Sequence, residues 1–327
     1  FLELLQRLGL EHFYPKKMSR SNFHLIHKTS VYNTQPCSER ELPFYFLQKL
    51  MMLDYGLRCL VIRDEEYAEE QVCSSNTGQE NADFDPYEDL VEDKDGPTRP
   101  SATAVKPHVH PMDIQMAILH CADDFARQYI LAKLAICQFA LPLLIPHPCN
   151  AQIQFSLWSL RQIRRSWQQA GKPTEQEKDN YKNQQMCRVS TPIVSFIRVG
   201  KGFSASKSQI MNCLLSQRKH DVFFHRHCKG SSRDCLLMAG VVEVTWFCPG
   251  AGDEDRFDKC LTFTNLRGDA KEHKQQLTFL QEVSSLIVVL MSTSDDNQES
   301  RKVVRALCQS PKPLICLLDD KEKAMSN

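Results

Sequence analysis

The chain has 327 residues, 42% hydrophobic and 24% charged, so it can bury a sizeable core and is long enough for two domains or more. Lysine plus arginine equals aspartate plus glutamate at 40 each, a balance that gives no global pull toward nucleic acid or an anionic membrane. No apolar run reaches the ~20 residues of a membrane-spanning helix; the longest, Ala135 to Ile145, is broken by Gln138 and Pro142. Fourteen cysteines are scattered from Cys37 to Cys316, none in a C-x-x-C pair and none preceded by a signal peptide, which fits reduced thiols in a cytosolic protein. The chain opens on Phe1 inside a helical pattern and reads as a piece of a longer protein.

Residues 1–62 read as a small helical module. Leu2, Leu5, Leu8, Leu10 and Phe13 trace a first helix that Pro15 ends, and Glu41–Asp54 forms a second with Phe44, Leu47, Leu50 and Met51 on one face. Lys16, Lys17, Arg20 and Lys28 form a basic group, read as a solvated face. Residues 63–111 form a linker. From Asp64 to Gly96 there are thirteen acidic residues against Lys94 alone, and prolines follow at 97, 100, 107 and 111. Such a composition buries too little apolar surface to offset chain entropy. Residues 112–170 read as a helical block: Asp113 caps a helix carrying Ile114, Ala117, Ile118 and Cys121. Ile130–Ile136 continue an apolar face to Pro142, and Phe155–Trp167 forms a further helix.

From Thr191 the pattern alternates. Ile193–Val199, Val241–Phe247, Leu261–Thr264, Leu286–Met291 and Pro313–Leu318 read as strands, with helices at Lys207–Ser216, Asp269–Gln281 and Glu299–Cys308. The all-apolar Leu286–Met291 is the kind of strand buried on both faces of a parallel sheet. The fold class is therefore α plus α/β: a helical amino-terminal region, then a three-layer α/β domain over 188–327 that stops before a last strand and helix.

Between the strand at 193–199 and the helix at 207 lies Gly200-Lys-Gly-Phe-Ser-Ala-Ser206, followed by Lys207-Ser208. This is the layout of a phosphate-binding P-loop, G-x-x-x-x-G-K-[ST], in which backbone N–H groups wrap phosphates at a positive helix terminus. In that pattern the lysine reaches the β- and γ-phosphates and the hydroxyl ligates Mg²⁺. Both pattern glycines are replaced, by Lys201 and Ser206, while Gly200 and Gly202 flank the first position. Two readings stay open: a nucleotide site lined by Gly202, Ser204, Ser206, Lys207 and Ser208, with Ser208 on Mg²⁺, or a ligand-free turn in which Ser204 or Ser206 caps the helix.

The next GTPase element, D-x-x-G, has its counterpart in Asn265-Leu-Arg-Gly268. Gly268 stands where the γ-phosphate is sensed. Asn265 replaces the metal-shell aspartate, a loss on the order of a few kcal/mol in metal-bound nucleotide affinity; Asp269 lies nearby, out of its usual place. The guanine-reading [NT]-K-x-D has no match in Asp319-Asp-Lys-Glu-Lys323. Ser231 and Ser232 are poor stand-ins for a switch threonine.

In combination with these motifs, Phe1-Leu-Glu-Leu-Leu-Gln-Arg-Leu-Gly-Leu10, Leu42-Pro-Phe-Tyr-Phe-Leu-Gln-Lys-Leu50, Cys137-Gln-Phe-Ala-Leu-Pro-Leu-Leu-Ile-Pro146, Ser206-Lys-Ser-Gln-Ile-Met-Asn212, Val242–Phe247, Asn265-Leu-Arg-Gly-Asp269 and Glu282-Val-Ser-Ser285 carry a resemblance over nearly the whole chain. They resemble the very large interferon-induced GTPase family, with up-regulator of cell proliferation and a caspase-recruitment-domain protein among its relatives. The resemblance implies a cytosolic or nuclear, interferon-inducible protein. It also implies a first, degenerate G-like domain with weak use of GTP and Mg²⁺, weak or no hydrolysis, and protein partners or self-association. The preference for guanine comes from the resemblance alone.

Other chemistry finds less support. His225, His227 and Cys228 pack three potential zinc ligands into four residues, but no second cluster completes a tetrahedral site. No local signature sets a cysteine at a helix start beside a histidine for nucleophilic catalysis. The sequence thus leaves a nucleotide-binding GTPase-type domain and a pseudo-GTPase scaffold for signalling assembly as its two readings.

Overall fold

A computed structural model describes residues 1–23, 35–59, 108–168, 181–200, 206–215, 223–225, 235–250, 255–292 and 297–319. Most of the acidic and proline-rich linker, Gly202, Ser204, His227, Cys228, Ser231, Ser232 and the run after Asp319 lie outside the described residues. The chain divides into two units, Phe1–Ala122 with His227–Cys235, and Asp123–Arg226 with Leu236–Asn327.

The first unit is helical. Helix α1 (Leu2–Arg7) buries Leu4 and Leu5 and ends much earlier than the expected stop at Pro15. Gly9, at φ +66°, is the reason: its N–H donates to Gln6 O and the Leu10 N–H to Leu5 O, closing the helix with a left-handed turn. Helix α2 (Leu42–Met51) buries Phe46, Leu47 and Leu50, whereas the expected Phe44 faces solvent. Helix α3 (Pro111–Cys121) is buried on all sides. Its cap is His110, not the expected Asp113: His110 Nδ1 accepts from the Met112 N–H at 3.0 Å. Asp113 instead accepts from Cys235 Sγ at 3.2 Å.

The second unit opens with α4 (Asp124–Ile136), capped by the Asp123 carboxylate on Ala126 N–H. The helical block expected over 112–170 goes no further. Gln138, at φ +60°, ends α4 as Gly9 ends α1, with Phe139 N–H donating to Leu134 O. Pro142 and Pro146 then favour extended chain, and strands β1 (Leu141–Pro146) and β2 (Ile153–Phe155) follow. The helix expected at Phe155–Trp167 is likewise overturned. It is one turn, α5 (Leu157–Leu160), and then strand β3 (Arg164–Gln168), which pairs antiparallel with β4 (Tyr181–Gln185). Burial alternates around Arg165 and Trp167 once β4 supplies a partner, which is why tertiary pairing overrides the helical spacing.

The main sheet has seven strands: β5 (Ile193–Arg198), β6 (Val242–Phe247), β7 (Leu261–Leu266), β8 (Leu286–Ser292) and β9 (Leu314–Asp319) join β1 and β2 in the order β2-β1-β6-β7-β5-β8-β9. Its central strand β5 leads to helix α6 (Lys207–Leu215). Strands β6 and β7 form an antiparallel hairpin. Helix α7 (Lys274–Val283), strand β8, helix α8 (Gln298–Gln309) and strand β9 complete it. Strands β7, β5, β8 and β9 are mutually parallel, and β1 joins β6 antiparallel.

Two apolar layers hold helices on both faces. Met211 and Leu215 of α6 pack with Phe196, Phe247, Phe263 and Leu290. Leu277 and Leu280 of α7 and Leu307 of α8 pack on the other face with Ile197, Val242, Leu266, Ile287 and Val289. The sheet is thus the middle of three layers, and β8 is buried on both sides as its apolar run requires. Among the described residues no helix is long and apolar enough to cross a membrane.

Candidate functional site

Strand β5 has β7 on one side and β8 on the other, with α6 and α7 on opposite faces. That is a switch point of an open α/β sheet, and the crevice beyond its carboxyl end is where such sheets take ligands. The residues that gather there come from the ends of β5 and β7, the start of β6 and the first turn of α6.

Lys207 opens α6 and its Nζ donates to the Leu266 carbonyl at the end of β7. Burial pushes this ammonium well below its ordinary pKa. Arg198 and Arg267 push the same way, while Glu243 and Asp269 oppose them. Ser208 is buried beside it, and Ser206 contributes its backbone carbonyl to the Ile210 N–H of the first turn. Gly200 sits at φ +80°, a left-handed turn that glycine adopts without a Cβ clash, and its N–H donates to Asp269 Oδ2 at 3.1 Å. The start of the loop is therefore tied to the turn after β7.

Asn265 is fully buried. Its Nδ2 donates to Glu243 Oε2 at 2.9 Å, across the β6–β7 register that pairs Glu243 with Asn265. Arg267 Nε donates to the same Glu243 oxygen at 2.6 Å, and its guanidinium also reaches the His225 carbonyl at 3.1 Å. Asn265 Oδ1 is buried with no hydrogen-bond partner among the described residues. Asp269 is already engaged: besides the Gly200 N–H, it accepts the Lys271 N–H and forms an ion pair with Lys271 Nζ at 3.3 Å. Among the described residues, the neutral oxygens on offer to a cation are thus the Ser208 hydroxyl and Asn265 Oδ1, with the Glu243 and Asp269 carboxylates already engaged. That donor set fits Mg²⁺ poorly, since Mg²⁺ takes carboxylate and phosphate oxygens.

Gly268 follows β7 at φ +87°. A Cβ there would lie 2.7 Å from His273 Nε2, and one on Gly240 (φ +76°) 2.8 Å from His273 Nδ1, so two glycines shape the seat of one imidazole. Burial pushes His273 below its ordinary pKa, the state expected of a ring whose buried Nε2 has no partner among the described residues.

Of the residues expected from the sequence, Ser206, Lys207, Ser208 and Gly268 fall at this crevice, and Gly202 and Ser204 lie outside the described residues. Sequence reasoning missed Glu243, Arg267, Arg198, Gly240 and His273. Glu243 had a legible signal, a lone acid inside the apolar strand Val242–Phe247, since a buried charge needs a partner.

The model of the up-regulator of cell proliferation-like domain matches residues 109–327, and that of the corresponding amino-terminal domain matches residues 1–78. The chain belongs to the very large GTPase and up-regulator of cell proliferation family. Within this family, the chain is 70% identical over all of its length to interferon-induced very large GTPase 1 of Homo sapiens and 66% identical to that of Mus musculus. It spans 14% of the length of either relative. It is 33% identical to up-regulator of cell proliferation of Bos taurus over 88% of the chain and 31% of that protein. Caspase recruitment domain-containing protein 6 of Homo sapiens matches 55% of the chain at 33% identity, over 18% of its own length. No solved structure matches.

Proposed function

We propose that residues 188–327 form a P-loop GTPase-like domain that retains its phosphate-facing Lys207 and Ser208 and has lost its metal and base-reading elements. It binds GTP weakly and hydrolyses it weakly or not at all. The observation that carries this reading is Asn265. It stands in the metal-shell position, and its amide is committed to Glu243, whose carboxylate is shared with Arg267. Among the described residues of the crevice, Glu243 and Asp269 are thereby both engaged and neither is left over for Mg²⁺, while Lys207 remains at the head of α6 where a phosphate would meet the helix terminus.

A second reading is favoured by Lys207 itself. Its ammonium is satisfied by the Leu266 carbonyl, as in a pseudo-GTPase scaffold that needs no nucleotide. Kinship with a caspase-recruitment-domain protein supports work in protein assembly, by partners or self-association, and kinship with an interferon-induced GTPase supports interferon induction; the compartment that goes with this proposal is the cytoplasm, with the nucleus as a second. Calorimetry with GTP, GDP and ATP, with and without Mg²⁺, on the native chain and on Lys207→Ala separates the two. The first reading expects weak guanine-nucleotide binding, nearly independent of Mg²⁺ and abolished by the substitution. Absence of binding by the native chain overturns it and leaves the scaffold.

A further inference from the structure

We propose that Cys248 and Cys260 are a peroxide-responsive dithiol that closes reversibly into an intramolecular disulfide at the loop end of the β6–β7 hairpin. The register of the hairpin sets them opposite each other: Phe247 pairs with Leu261, and one residue further out on each strand stand Cys248 and Cys260. Their sulfurs are 3.7 Å apart. A disulfide at about 2.05 Å therefore needs an approach of roughly 1.6 Å, within reach of side-chain rotation. Cys248 is partly open to solvent and Cys260 is buried behind it, which is the arrangement of an attacking thiol and a resolving one.

A cation completes the cluster. Strand β3 is fastened to the segment after Cys248 by the Gln168 N–H on the Pro249 carbonyl at 3.0 Å. From β3, Arg165 acts electrostatically on both thiols. Its Nε is buried and has no hydrogen-bond partner among the described residues, so the guanidinium has capacity for an anion here. The hydrogen bond from Cys260, helped by Arg165, draws Cys248 below an ordinary thiol pKa against the cost of burial. Cys260 is pushed up and stays protonated, so Cys248 is the thiol of the pair that ionises first, with Cys260 as its hydrogen-bond donor.

The chemistry balances with hydrogen peroxide as oxidant. The Cys248 thiolate attacks one peroxide oxygen, the O–O bond breaks, and the departing hydroxide takes up a proton as water. Cys248 is then a sulfenic acid. The Cys260 sulfur attacks the Cys248 sulfur, the S–O bond breaks and the hydroxyl leaves with the Cys260 proton as a second water. Two thiols lose two electrons and one peroxide becomes two waters. A dithiol reductant reverses it. The reading is independent of nucleotide binding.

Peptide mapping of the full chain after hydrogen peroxide treatment and thiol-blocking quench tests it. The expected result is a Cys248–Cys260 cross-link that forms before the exposed Cys149 and Cys187 are oxidised and disappears with dithiothreitol. Cys260→Ser should stop at a sulfenic acid on Cys248, trapped by dimedone. Arg165→Gln, with folding checked by circular dichroism, should slow iodoacetamide alkylation of Cys248 on the order of threefold at pH 7 while leaving Cys149 unchanged. Should a variant fail to fold, the mapping of the native chain decides. Both thiols remaining free while Cys149 oxidises, or scrambled pairing with other cysteines, overturns the proposal.

Discussion

At one end of the β6–β7 hairpin, Glu243, Asn265 and Arg267 share a single buried carboxylate; at the other, Cys248 and Cys260 face each other across the same two strands. The first end is committed. Its charge is compensated internally, and its removal leaves polar groups stranded. The second end holds little net stability and considerable reactivity, because a thiol costs little to bury and its chemistry is set by neighbours. Within one hairpin, buried charge acts as structure and sulfur acts as a reagent.

The sharpest way to break this contrast is Glu243→Ala. It strands the Arg267 guanidinium and the Asn265 amide in a position where the carboxylate is 1% exposed. Loss of one partner of a buried pair should lower stability by about 3 kcal/mol. Cys248→Ser, at a partly exposed position, should stay within about 0.5 kcal/mol. Urea unfolding midpoints of the two variants measure both. Similar midpoints would mean that the ionic end is not the committed one.

The same contrast explains how much could be read beforehand. The strand at β5, the apolar β8 and the helix at Lys207 were legible because each announces itself locally, by β-branched runs or by a small-residue loop. Strand β3 was not, since Arg164–Gln168 becomes a strand only when the polar Tyr181–Gln185 pairs with it. The ends of α1 and α4 depend on left-handed turns at Gly9 and Gln138; glycine gives a hint of this and glutamine gives none. At the crevice, Lys207, Ser208 and Gly268 came from spacing. The Glu243–Arg267 pair joins two strands, and its position in the sequence names neither partner. The thiol pair needs the hairpin register before it can be seen at all.

A smaller effect is expected where backbone geometry, not charge, sets the crevice. Gly268→Ala forces an L residue to φ +87° with its Cβ 2.7 Å from His273 Nε2. The imidazole can shift, so the penalty is mainly conformational, about 1 kcal/mol. Gly250→Ala, near the thiol end and with no described residue within 4 Å of the added Cβ, should leave the thermal midpoint unchanged. Differential scanning calorimetry of the pair separates strain at the crevice from the effect of an added methyl group.

The most informative effect in its pH dependence belongs to Lys207→Met. Burial disfavours the ammonium, and the Leu266 carbonyl compensates only in part, so removing the charge should raise stability at pH 7, by about 1 kcal/mol or more. The sign of the pH effect follows from the direction of the shift. Lys207 titrates lower folded than unfolded, where it keeps its ordinary 10.5, so between the two values the unfolded chain binds more protons. Native stability should therefore rise, relative to Lys207→Met, as pH climbs through the folded pKa toward 10.5. The penalty for holding the ammonium persists in full below that window. Urea midpoints of both chains from pH 7 to 10 measure the difference, and two parallel curves would show that Lys207 keeps its charge at no cost. A phosphate at this lysine should reverse the bias, because an anion favours the protonated amine. GTP binding in the alkaline range should then be accompanied by proton uptake, detectable as a binding heat that scales with the ionisation enthalpy of the buffer.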